Sequence, residues 1–86
     1  MHTKQLSSQR TWAVHNPADL GRAIAGVRAE KGLTQEDLAK AIDVDRGYLA
    51  RLEAGASPLV LERSLRALRR MGATVTISVP RDDGPS

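Results

Sequence analysis

Arginine recognises guanine well because its planar fork can donate two parallel hydrogen bonds to O6 and N7 on the major-groove edge. Two arginines, Arg46 and Arg51, fall within the short segment DRGYLARLE at residues 45–53. On a helix turning about 100° per residue, Leu49 and Leu52 share one side and define its buried face. Gly47, Arg51 and Ala54 lie nearly opposite, with Ala50 beside them and Arg46 and Tyr48 on the two flanks. Arg51 is therefore the best placed to read a base. Arg46, in the first turn, can reach a base edge or a phosphate. Gly47 carries no side chain and weakens a helix by up to about 1 kcal/mol relative to alanine; close approach of its backbone to DNA would offset that. Tyr48 can hydrogen-bond a phosphate or pack on a sugar, and a half-buried packing role fits it equally well. Gln35 opens the preceding helix, where its amide and the local backbone N–H groups can bond a phosphate at the positive helix end.

These side chains need two short helices held at a fixed angle. Residues 34–53, TQEDLAKAIDVDRGYLARLE, read as helix, tight turn, helix. Thr34 caps the first, with Asp37 three residues on to complete a capping-box-like exchange. Leu38, Ala39 and Ile42 share one side of it. Asp43-Val44 makes the break, and Asp45 caps the second helix. Two helices joined this tightly suit a helix-turn-helix, whose second helix can enter a major groove.

The rest of the chain supports that unit. An N-terminal helix starts at Asn16-Pro17, a cap followed by proline at the first helical position, buries Leu20, Ile24 and Val27 with Ala23 beside them, and stops at Gly32. Gly55 is a second glycine stop. Ser57-Pro58 predicts the start of a fourth helix, with Leu61, Leu65 and Leu68 on its inner face and Arg63, Arg66 and Arg70 on another. Those arginines form either a solvated face or one turned to a phosphate or a partner. Gly72 closes this helix. In ATVTISVP, residues 73–80, Val75, Ile77 and Val79 alternate with Thr74, Thr76 and Ser78, which predicts one strand. It is one strand with no partner in this chain, so its backbone groups are expected to pair with the same strand of a second copy. Residues 1–13 read as a polar, flexible arm with a short extended piece at Thr11–Val14 and Trp12 as a possible anchor on a partner. Residues 81–86 read as a disordered tail.

Composition narrows the classes. The chain has 86 residues, no cysteine, no phenylalanine, one tryptophan and one tyrosine, so its core must be Leu, Ile, Val and Ala, which favours a small helical domain. Without cysteine there is no disulfide framework and no thiolate metal site. No apolar run is long enough to span a bilayer, and a soluble, cytoplasmic protein without cofactor or metal is expected. His2 and His15 have no partner at metal-ligand spacing, no Ser–His–acid arrangement can be argued, and no phosphate-cradling glycine loop is present, so an enzyme is not expected. The net charge is +3, but residues 34–53 hold five acids against three cations, so the candidate reading unit is locally acidic. The surplus lies elsewhere, notably at Arg63, Arg66, Arg69, Arg70 and Arg81. DNA affinity would then rest on a few placed contacts and on duplication.

Arg28, the run Gly32-Leu33-Thr34-Gln35, Leu38-Ala39, Leu49, Leu52-Glu53 and Gly55 together resemble the Cro/C1-type, or Xre-family, helix-turn-helix domain across residues 20–72. The resemblance implies a lambda-repressor-like bundle of four helices within residues 14–72, all-α apart from the C-terminal strand. It places Arg46, Gly47, Tyr48 and Arg51 where such domains touch bases and neighbouring phosphates, and a phosphate-binding glutamine at Gln35. Glu53 sits near a helix C-terminus, against the macrodipole; the resemblance pairs it with Arg28 as a structural tie between the first and third helices. The single fourth helix followed directly by a β-branched strand is similar to HipB-type antitoxins, dimeric repressors partnered with HipA-type kinases. That implies an autoregulating repressor on a palindromic operator, a homodimer joined through Val75, Ile77 and Val79, and a HipA-like kinase toxin as partner. The alternatives are a stand-alone Xre-type repressor without toxin, and a protein-interaction adaptor on the same fold.

Overall fold

The computed structural model describes residues 9–80; the proposed arm up to residue 8 and the tail 81–86 lie outside the described residues. The elements in order are β1 (Gln9–Val14), α1 (Pro17–Glu30), α2 (Gln35–Ala41), α3 (Arg46–Glu53), α4 (Leu59–Arg70) and β2 (Val75–Pro80).

Local chemistry sets most of these boundaries. Asn16 accepts from the Asp19 N–H at 2.8 Å and Pro17 opens α1. Thr34 Oγ1 accepts from the Asp37 N–H at 3.0 Å while the Asp37 carboxylate accepts from the Thr34 N–H at 3.0 Å, a complete capping box on α2. Asp45 accepts from the Tyr48 N–H at 2.7 Å and starts α3. The turn between α2 and α3 passes through Asp43 at φ 63°, a left-handed conformation that short polar side chains tolerate. The fourth helix differs from its expected start: Pro58, not Ser57, occupies the cap position, without a side-chain cap bond.

The larger departure concerns the strand at the C-terminal end. β2 has a partner in its own chain. β1 pairs with it antiparallel, in the register Trp12↔Ile77 and Val14↔Val75. Residues 9–13 are thus a strand and not an arm. Val75, Ile77 and Val79, expected to join two copies, face their own core. Val79 is buried, and Val75 and Ile77 pack with Trp12, Leu20 and Leu61 around Val14, Ala23 and Leu65. The physical reason is the shared period of two: Trp12 and Val14 alternate with Thr11 and Ala13 just as the β2 residues do, so both strands present one apolar face to α1 and α4. Trp12 lies so close over α1 that a Cβ on Gly26 would stand 2.5 Å from its ring.

Candidate nucleic-acid interface

The site is built on α3, held from behind at two points. Leu49 is 1% exposed and anchors the inner side. At the C-terminal end, α1 crosses at backbone contact: a Cβ on Gly21 would lie 2.4 Å from the Glu53 carbonyl oxygen and 2.6 Å from that of Leu52. A glycine in mid-helix usually costs stability; here it permits a crossing that any side chain would block.

Glu53 is the hub of the polar contacts. Arg28 donates to it twice, from Nε to Oε2 at 2.7 Å and from Nη2 to Oε1 at 3.1 Å. Arg28 Nη1 also donates to the Leu33 carbonyl at 2.9 Å, so one guanidinium ties α1, the α1–α2 connection and α3 together. Gln35 Nε2 donates to Glu53 Oε1 at 2.8 Å. The Glu53 side chain is only 7% exposed. The Arg28 bonds hold its carboxyl below the usual carboxylate range, with Gln35 adding to the effect against the opposing cost of burial. Arg28 is correspondingly raised, first by its bonds to Glu53.

The chain of bonds continues outward. Arg46 Nη1 donates to Gln35 Oε1 at 3.1 Å, which fixes the amide's orientation and holds Arg46 across the α2–α3 angle. Gln35 therefore spends one amide hydrogen and its oxygen on protein neighbours. Arg51 and Tyr48 are both exposed on the outer side of α3, where they line a shallow cavity of about 280 Å³ with Leu52, Ala56, Ser57 and Pro58. The Arg51 guanidinium lies back along α3: a Cβ on Gly47 would be 3.5 Å from its Nη1 and 3.2 Å from the capping Asp45 carboxylate. Gly47 thus leaves room for both charged groups.

The local acidity has a structural explanation. Asp37 closes the capping box, and its carboxyl is lowered chiefly by the Thr34 N–H. Asp45 caps α3, and Glu53 is neutralised by Arg28. Only Glu36 and Asp43 of the five acids make no such contact among the described residues. Sequence reasoning did not foresee the Gln35–Arg46 and Gln35–Glu53 bonds; two opening residues of adjacent helices in a tight turn were the available signal. Ile42, expected inward, is the C-cap of α2 and 49% exposed. Among the described residues no group of acidic, histidine or cysteine side chains could hold a metal ion, and no helix is long and apolar enough to cross a membrane.

Two helices joined through a left-handed turn, the second presenting exposed arginines and anchored from behind, define a helix-turn-helix unit. Residues 24–74 match the family Helix-turn-helix (HTH_3), and the chain belongs to that Cro/C1-type family. It is also similar to the uncharacterized HTH-type transcriptional regulator y4mF of Sinorhizobium fredii (strain NBRC 101917 / NGR234), with 31% identity over 67 residues, 78% of this chain and 88% of that protein. No solved structure matches it.

Proposed function

We propose that the protein is a DNA-binding transcriptional regulator that inserts α3 into the major groove and reads base edges with Arg51. The observation that carries this is the geometry of α3: Arg51 stands exposed opposite Leu49, on a helix whose own two flanking acids, Asp45 and Glu53, are committed to a cap and an ion pair. Arg46, held by Gln35, takes a flanking base or phosphate; Gly47 permits close approach; Tyr48 and the remaining Gln35 N–H meet the backbone. The family and the regulator from Sinorhizobium support the same reading. Gel-shift titration against DNA upstream of its own reading frame tests it: sequence-specific binding is expected, and equal affinity for scrambled duplex favours the adaptor alternative.

The regulator works as a homodimer, which sets two α3 elements about one helical turn apart on a palindromic site. β2 has one strand neighbour, leaving its other edge unpaired among the described residues. Nearby, Ile24, Val27, Leu33, Leu38 and Ile77 line an open apolar groove of about 260 Å³. A second copy's β2 added to that edge would cover it. Leu33→Lys is expected to weaken association at least tenfold in sedimentation; an unchanged dimer removes the groove from the interface. The finer reading is that of an autoregulating antitoxin with a HipA-like kinase partner. It rests on the layout of one helix after the helix-turn-helix unit followed by a β-branched strand. Co-purification with the product of the adjacent gene tests it, and a lone regulator is the outcome that removes the toxin.

A further inference from the structure

We propose that the outer face of α4 is a docking surface for a protein partner that presents carboxylates around an apolar ridge. This gives the partner of the preceding proposal a place to bind, and it stands whether or not α3 reads DNA. Leu61, Leu65 and Leu68 turn inward, with Leu65 buried. On the opposite side Arg63, Arg66 and Arg70 are exposed, and none forms an ion pair or side-chain hydrogen bond among the described residues. Arg69, by contrast, donates to the His15 carbonyl. Glu62, the one acid of α4, makes no ion pair with Arg66 although it lies one turn away. Beside the arginines run the exposed apolar side chains Leu59, Val60 and Met71, the last two 69% and 73% exposed.

Charge selects an acidic occupant, and the apolar strip selects protein over nucleic acid. A phosphate backbone gives Val60 and Met71 nothing to bury against. Protein interfaces are enriched in arginine and methionine and depleted in lysine, and every cation of α4 is arginine. The guanidinium suits this role because it is weakly hydrated and pairs with carboxylates in two-point geometry. The stripe also runs lengthwise: at 1.5 Å per residue, Arg66 and Arg70 stand about 10 and 16 Å along the axis from the start of α4, beyond the Ser57-Pro58 end that adjoins Tyr48 and Arg51.

The test places a photo-reactive amino acid at Val60 of the full chain expressed in its host, identifies the cross-linked protein, and titrates its purified form. The expected result is at least tenfold weaker binding to the R63E/R66E/R70E variant and an intermediate loss for V60S/M71S. Affinity for duplex DNA is expected within twofold of the unmodified chain for V60S/M71S, and within twofold of a control carrying three Arg→Glu or Lys→Glu changes away from α3 and α4 for R63E/R66E/R70E. All five positions are exposed, so the fold is expected to hold, with thermal melting as the control. Three results overturn the proposal: no cross-linked protein above the level at a control position on Lys40, unchanged affinity of the partner for both variants, or a loss of DNA affinity in R63E/R66E/R70E tenfold greater than in the charge-matched control, which would make the stripe a phosphate contact.

Discussion

The α2–α3 unit and the β1–β2 sheet are held in opposite ways. The first is short-range: capping side chains bond backbone groups three residues away, and one buried leucine with one ion-pair hub fixes the angle. The second is long-range: strands from the two ends of the described chain pair and lay Trp12, Val14, Val75 and Ile77 over α1 and α4. The outer face of α3 is thereby set by polar geometry around one buried leucine, and the sheet by apolar burial alone. Substitutions should separate the two, because loss of the hub disturbs orientation while loss of the cover reduces stability alone.

Leu49→Ala should have the largest effect, about 2–5 kcal/mol in chemical denaturation, because it empties the inner side of α3. Removing the hub by Glu53→Ala should cost roughly 2 kcal/mol, less than for a fully buried pair because Arg28 retains access to water. It should also free Gln35 and Arg46, so DNA binding is expected to weaken by more than the population of unfolded protein explains. Val14→Ala, in the sheet, should cost about 1–2 kcal/mol with DNA affinity unchanged when measured well below the melting temperature. Equal loss of DNA binding from Val14→Ala and Glu53→Ala would erase the distinction between the two regions. The smallest effect is with pH. Glu53 and Asp37 are held below their ordinary values in the fold. Their stabilisation is therefore present above the unfolded carboxylate range near pH ~4 and is lost as pH falls from there through the folded values. Denaturation midpoints should fall across that window, and the fall should be smaller in Glu53→Gln.

The same contrast decides what the sequence reveals. Asn16, Thr34 and Asp45 announce helix starts because a cap acts within three residues. Gly32, Gly55 and Gly72, all at positive φ, mark the stops. The inner stripe of α4 follows from its period. β1 was visible only as an extended piece, because a strand's partner depends on which segment the fold brings beside it. Trp12 read as an anchor without a target; its target is Gly26, which carries no side chain to advertise the contact. Gly21 does carry a signal, since a glycine in mid-helix marks a place where another segment can approach the backbone. At the site, residue types and faces followed from the wheel, whereas the Arg46–Gln35–Glu53–Arg28 connection depends on side-chain reach across the turn.

On the proposed function, α3 reads bases through Arg51. It is tested most directly by titrating wild type and Arg51→Ala against the upstream site and against scrambled duplex at one fixed salt concentration. The predicted result is a loss of about 1–3 kcal/mol on the specific site, with little change on scrambled DNA, so that discrimination collapses. A ratio of specific to non-specific affinity that stays the same in Arg51→Ala would contradict it.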